Sequence, residues 1–484
     1  MFARTAAIER SDALILGGAC VTTAAIVSTF SEKGLTLPIL AFFGGIVFLA
    51  IVAGFLAAPW VTVPLVIPWF ALTPTLVVFV DPLIGVTKDI ISFAAITAAA
   101  VTVVRRRAAR RPIVVDRVIV VLYGLIAILY LTNIGGNLSG ETGYGAPWYQ
   151  GVRLFCEPLS LLIVGLVLRQ PRRTFDAAVR VLIGTVVVIA LYGLAQQAIG
   201  VDGLLKLGYS YGTHVRQIGT HLRSFGTLDE SFAYAATLLL GAGLILVTRR
   251  RSFATTLMLA VVTLGLLASF VRTAAIIAVG VVAFGLAQRG KRLAPIILLA
   301  ASATAAAIGL IASSQHMSER AVPVSANTYL TLNGRTKLWK EQLGDHPSQW
   351  IFGRGVGATG TAADRAKLAL GGRTAANRQG GSNTVDSGYF ALCADVGVVG
   401  VILLLALFAR LAAIARRAVS RGLQAGWAIL VLLLVLMLDA VSRESFTGYP
   451  TAYIAFLLIG LATATALQAE ASEPRHPAAR SRGR

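Results

Sequence analysis

Charge is scarce in this sequence: only 13% of its 484 residues are Asp, Glu, Lys or Arg. A soluble domain carries about 25%, so the chain lacks the polar surface that a water-soluble fold of this length needs. Cysteine is nearly absent as well. Cys20, Cys156 and Cys393 lie far apart, which excludes a disulfide framework and metal-ligand spacing and leaves them as small hydrophobes. His214, His221, His316, His346 and His476 show no ligand spacing either, so no metal site is expected. There is no His-Glu-x-x-His and no Walker sequence, so zincin and P-loop chemistry lack their signatures.

What the chain has in abundance is apolar length. Hydrophobic residues make up 56% and the mean hydropathy is +0.76. Repeated runs long enough to cross a bilayer predict an all-α, polytopic integral membrane protein. The net charge of +21 does not point to nucleic acid, because most basic clusters sit in short loops between apolar runs. That is the distribution of cytoplasmic loops.

In chain order, residues 1–12 form a short cytoplasmic N-terminus with Arg4 and Arg10. The run at 13–30 is read as an uncleaved first span rather than a signal peptide, because spans with a consistent charge bias follow. Further spans are expected near 36–57, 60–80, 89–104, 117–132, 158–168, 177–199 and 231–247. Residues 253–288 are apolar apart from Arg272 and a few hydroxyl side chains. As one helix they would measure about 54 Å, too long for a core of roughly 30 Å. Both ends are basic, so a hairpin is expected with its apex near Ser269–Thr273. Spans at 293–313, 389–409, 424–440 and 450–467 complete a count of about fourteen, with both termini cytoplasmic. The organisation is thus a transmembrane bundle over 13–313, an external loop at 314–388 carrying short amphipathic helices, C-terminal spans over 389–467, and a disordered cytoplasmic tail at 468–484.

The long polar loop is where chemistry is expected first. Asn333 reads as an N-cap, and Leu338, Trp339 and Leu343 share one face of a short helix, with Trp339 an interfacial anchor. Arg335 falls in its first turn, where the helix dipole disfavours a cation; a bound anion would resolve that conflict. Gly355-Val356-Gly357-Ala358-Thr359-Gly360 fits G-x-G-x-x-G, but no strand or βαβ unit surrounds it, so it reads as a tight turn where backbone approaches another group. Arg272 at the embedded end of two apolar spans faces either a polar cavity or the outer headgroups. Arg223 is a second loop arginine. Asp386 is either a proton acceptor or the N-cap of the span that follows.

These pieces, in this order, resemble the O-antigen ligase/polymerase superfamily. Arg223-Ser224-Phe225-Gly226-Thr227 resembles the family's Arg-x-x-Gly segment, and Ser269-Phe270-Val271-Arg272 its Ser-Arg at the end of a span. Gly334-Arg335…Trp339, Gly353-Arg354-Gly355-Val356-Gly357 and Asp386-Ser387-Gly388-Tyr389-Phe390, followed by Gly397 and Gly400, resemble its Gly-Arg…Trp, Gly-x-Gly and His-Asn-x-Tyr-Leu…Gly-x-x-Gly pattern. The resemblance covers roughly 220–410. Asp386 stands where the ligases carry histidine and Ser387 where they carry asparagine, which tips the reading from ligase to polymerase. It implies an enzyme of the bacterial plasma membrane that polymerises undecaprenyl-diphosphate-linked oligosaccharide repeats at the outer face, without metal or cofactor. Its companions would be a glycan acceptor, a flippase and a chain-length regulator. Asp386, Arg335 and Arg272 would be catalytic, and Arg223, Arg272, Arg335, Arg354, Trp339 and Tyr389 would hold diphosphate and glycan. Ligation to a lipid, protein or wall acceptor is the alternative within the family, and a lipid or solute transporter is the alternative from another class.

Overall fold

The computed structural model describes residues 36–110, 113–133, 146–212, 214–218, 221–249, 252–287, 347–357, 360–363 and 387–472. They are mostly helical: α1 Thr36–Ala57, α2 Pro59–Phe79, α3 Thr87–Ala108, α4 Arg117–Thr132, α5 Ala146–Val167, α6 Pro171–Lys206, α7 Ser231–Thr248, α8 Phe253–Ala268, α9 Arg272–Ala287, the short α10 Pro347–Phe352, α11 Gly388–Ser420, α12 Gln424–Asp439 and α13 Thr451–Ser472. A two-stranded antiparallel hairpin, β1 Gln217–Ile218 and β2 His221–Leu222, follows α6. Among the described residues, seven helices are long and apolar enough to cross a membrane, and further apolar helices are shorter. The spans expected at 13–30 and 293–313, most of the 314–388 loop and the tail beyond 472 lie outside the described residues.

Local chemistry explains the helix ends. Asp116 precedes α4 and its carboxylate accepts the N–H groups of Val118 (3.0 Å) and Ile119 (3.2 Å), satisfying donors that the first turn leaves open. Ser252 does the same for Thr255 N–H at 3.1 Å before α8. Pro59 and Pro171 open α2 and α6, where a missing N–H costs nothing. The apolar stretch 253–288 does split, with α8 ending at Ala268 and α9 starting at Arg272. Ser269 makes the break: its Oγ donates to Leu266 O (2.6 Å) and accepts Val271 N–H (3.2 Å), and Phe270 takes a left-handed φ of 51°.

Four elements differ from their sequence expectation. α6 spans Pro171–Lys206 instead of 177–199 and is broken at Gly200 (φ 72°, ψ 176°). α5 begins at Ala146 instead of near 158, because Arg153 and Glu157 find partners across the bundle and need no water. α11 runs to Ser420 instead of 409 and is broken at Gly397 (φ 70°, ψ −175°). α13 continues through Ser472, past the expected start of the tail.

The core surrounds α13, whose residues Thr451–Ala464 are all buried. It packs on α5, α6, α7, α11 and α12. α5 and α13 touch backbone to backbone: a Cβ on Gly165 would lie 2.5 Å from Leu457 O and 2.7 Å from Leu461 N, the small-residue contact of membrane helix pairs. α4 turns Val118, Val121, Leu125 and Ile128 outward, an apolar stripe suited to lipid. One end of the bundle carries the arginine-rich turns: Arg105–Arg107 closing α3, Arg172 and Arg173 opening α6, Arg249 after α7, and Arg417 and Arg421 at the foot of α11. A second set of polar side chains, around Glu230, Asp439 and Arg443, gathers at the far end.

Candidate functional site at the far end of the bundle

The break at Gly397 interrupts the hydrogen-bond ladder of α11, and the glycine-rich turn 353–357 occupies the gap. Arg354 N–H donates to Ala394 O at 2.6 Å, and Gly357 N–H to Asp395 Oδ1 at 3.0 Å. Asn133, just past α4, binds both sides. Its Nδ2 donates to Asp395 O (2.9 Å) and to Phe352 O, and its carbonyl accepts Val356 N–H (3.1 Å). Gly353, Gly355 and Gly357 adopt φ of 83°, 109° and 79°, a region closed to most residues. A Cβ on Gly353 would lie 2.5 Å from Asp395 O, and one on Gly357 would run into Pro147 O. Val356 is fully buried. This stretch of the G-x-G-x-x-G match is a backbone plug. Tyr130 stacks on Phe155 (4.3 Å, 4°) and faces the Asp395 carboxyl behind it.

A second motif folds against the α8–α9 hairpin. Ser224 N–H donates to Ala268 O (2.9 Å), and Arg223 Nε to Ser269 O (3.4 Å). The Arg223 guanidinium sits 4.7 Å from the centre of the Phe232 ring, within cation–π range. Gln196 and Gln197 of α6 hold this loop. Gln196 Oε1 accepts Phe225 N–H (3.0 Å) and Gly226 N–H (2.9 Å), while Gln197 Nε2 donates to Leu222 O (2.8 Å) and Ser224 Oγ (2.7 Å). Arg223 and Arg272 are thereby brought to one turn, with Arg272 in the first turn of α9.

Next to it is a cluster that sequence reasoning did not single out. Arg443 Nη2 pairs with Glu230 (3.1 Å) and Arg443 Nη1 approaches Asp439 (3.9 Å), while Ser445 Oγ donates to Asp439 at 2.6 Å. Glu444 accepts Thr361 N–H at 3.3 Å. The start of α11 docks here. Gly388 N–H and Ser387 Oγ both donate to Ala440 O, at 2.8 and 3.1 Å. Ser387 therefore holds the N-cap position, without capping through its side chain. Tyr389 Oη donates a hydrogen bond to Met437 O (3.1 Å) and its ring packs edge-on to Phe446, a tie between α11 and α12.

A third group lies deeper. Asp89 binds Lys88 (2.7 Å) and takes a bidentate Arg153, which also reaches Glu157 at 3.8 Å. Lys88 Nζ lies 5.6 Å from the ring centres of both Tyr449 and Tyr453. Burial pushes the Tyr449 phenol well up in pKa, so it stays neutral. Lys88 and Asp89 belong to α3 and Arg153 and Glu157 to α5. The hydropathy pattern placed the α5 pair in a polar stretch before a span, and only the fold shows them drawn inside the bundle as partners, the arrangement in which buried charge is retained.

Of the residues expected at the site, Arg223, Arg272, Arg354 and Tyr389 are described, while Asp386, Arg335 and Trp339 lie outside the described residues. Another sequence match also resolves into a turn. Gly208-Tyr209-Ser210-Tyr211-Gly212 fits G-x-S-x-G, yet it follows helix α6 where a nucleophile elbow follows a strand. His214 Nδ1 accepts from Ser210 N–H (3.3 Å) rather than from a hydroxyl, and burial together with Arg216 pushes this imidazole down in pKa. The chain matches no protein-family model and no curated protein sequence.

Proposed function

We propose that the chain is a membrane glycosyltransferase that polymerises undecaprenyl-diphosphate-linked oligosaccharide repeats at the outer face of a bacterial plasma membrane. One observation carries the reading. The segments around Arg223, Arg272, Gly353–Gly357 and Ser387–Tyr389, distant in sequence, all reach the same end of the bundle, where Ser387 and Gly388 dock on Ala440 close to Arg443. In the mechanism, an acceptor hydroxyl oxygen attacks the anomeric carbon, the bond from that carbon to the diphosphate oxygen breaks, and the hydroxyl proton passes to Asp386. The arginines hold the departing diphosphate. Guanidinium groups suit this task because they stay charged and donate bidentately, and fixed charge at a developing anion lowers the barrier most where water is scarce.

The test uses purified protein in vesicles with a lipid-linked repeat unit, reading glycan chain length. Arg223→Ala and Arg272→Ala are expected to lose donor binding and polymer growth, whereas Arg105→Ala at the opposite end keeps both. Unchanged polymer from both site variants sinks the proposal. The buried Lys88–Asp89–Arg153–Glu157 group favours a second reading, a transporter pathway through the bundle. Glycan flux into the same vesicles without chain growth would select it.

A further inference from the structure

At the arginine-rich end, the ends of α6, α7, α12 and α13 leave a cavity of about 610 Å³, within the usual range for small-molecule sites. Arg172, Arg173 and Arg180 line it from the first turns of α6, Arg249 from the end of α7, Gln424 from α12 and Gln468 from α13. Among the described residues, Asp176 is the only carboxylate in the lining, which holds four arginines. Spacing on α6 sets this up. Residues 172, 173, 176 and 180 recur at helical intervals and share one flank. The Arg173 guanidinium is steadied 4.4 Å from the centre of the Trp60 ring, which orders a long side chain before any ligand arrives. α12 begins at the wall with Leu423 in the N-cap position; leucine offers no side-chain acceptor, so first-turn N–H groups add to the positive field. Phe175 and Val179 give the cavity an apolar floor.

A rule of loop charge explains arginines at this end but not their convergence on a cavity. Arg105–Arg107 end α3 on the same side, and none of them lines the cavity. We propose that this cavity is a binding site for a phosphate-ester anion, held by Arg172, Arg173, Arg180 and Arg249 at the membrane boundary. Guanidinium forks match phosphate oxygens bidentately, and the apolar floor suits the glycerol and first methylenes of an anionic phospholipid. A free phosphate would use the arginines alone.

The experiment measures saturable binding by native mass spectrometry and thermal stabilisation of the full chain in a neutral detergent. The probes are dihexanoyl-phosphatidylglycerol, dihexanoyl-phosphatidylcholine and inorganic phosphate. Phosphatidylglycerol is expected to bind saturably and to raise the melting temperature, and the Arg172→Gln/Arg173→Gln/Arg180→Gln variant to bind it at least about tenfold more weakly. Arg105→Gln/Arg106→Gln/Arg107→Gln, which removes equal charge outside the cavity, binds as the parent does. Arg172→Lys/Arg173→Lys/Arg180→Lys preserves charge and insertion and is expected to recover only part of the affinity. It covers the case in which the glutamine variant fails to fold, since lysines that bind fully would overturn the bidentate site. Binding of inorganic phosphate as well identifies the arginines as sufficient. No saturable binding of either anion, or equal weakening in both triple-glutamine variants, overturns the proposal.

Discussion

Asn133→Asp exchanges one amide nitrogen for an oxygen and so removes the donor of two hydrogen bonds whose acceptors are both backbone carbonyls. In the native fold Asn133 Nδ2 donates to Asp395 O and to Phe352 O, the two sides of the joint between the glycine-rich turn and the broken helix α11. Each net hydrogen bond of this kind contributes about 0.5–1.5 kcal/mol, so removing the donor costs docking of the turn about 2 kcal/mol. Aspartate should cost more than alanine, because its oxygen then faces two carbonyl oxygens at contact distance. A shift of about 2 kcal/mol raises the undocked population roughly thirtyfold. Val356, fully buried in the docked turn, is the reporter. With Cys20, Cys156 and Cys393 replaced, a Val356→Cys thiol labels only from the undocked state, and its rate follows the opening equilibrium when reclosing outpaces labelling. Asn133→Ala, which only removes the donor, is expected to raise that rate roughly thirtyfold, and Asn133→Asp by a larger factor. If all three proteins label within about twofold of one another, the turn is not held by Asn133 and the plug description is wrong.

Asp386→Asn keeps size and hydrogen-bonding capacity but not basicity. Polymer growth in vesicles should fall about a hundredfold or more with donor binding intact, and parental chain lengths would move the search to Glu230 and Asp229. An impermeant thiol reagent should label cysteines placed at 272 and 365 from outside and leave 106 untouched until the vesicles are opened; labelling of 106 from outside refutes the topology. Burial acts to raise the Asp116 pKa, but Arg410 and the Ile119 and Val118 N–H groups outweigh it and hold the carboxylate below its usual range. A depressed folded pKa stabilises above the unfolded value near about 3.9 and is lost as pH falls through the folded one. Arg410→Met should therefore be less stable than the parent at pH 6, with the difference closing in acid. A gap that stays constant from pH 6 to pH 3 contradicts that linkage.

The sequence by itself determined the class of the protein and most of its helices. Hydropathy placed α4 at 117–132, and the length limit of the bilayer core demanded the break that Ser269 makes between α8 and α9. Both are local matters: an apolar run either fits the core or must turn, and the residues that make the turn are neighbours in the chain. The glycines of 353–357 likewise announced a tight turn. What they turn against was not legible, because Asn133, Pro147 and Asp395 come from elsewhere in the chain and their contacts depend on how helices pack. The break at Gly397 was hidden for the same reason. A glycine in an apolar run reads as helix until another segment supplies the hydrogen bonds that the helix gives up. The start of α5 at Ala146 depended on Asp89 and Lys88 meeting Arg153 and Glu157 across the bundle, since only paired charges can be drawn inside it. Arg443 looked like a loop residue because Glu230, the carboxylate it pairs with most closely, reaches it only when α7 and α12 lie side by side, whereas Asp439 stands just four residues before it. Hydropathy is a property of single residues and their near neighbours, whereas satisfaction of charge and backbone polarity is a property of pairs, and tertiary structure alone chooses the pairs.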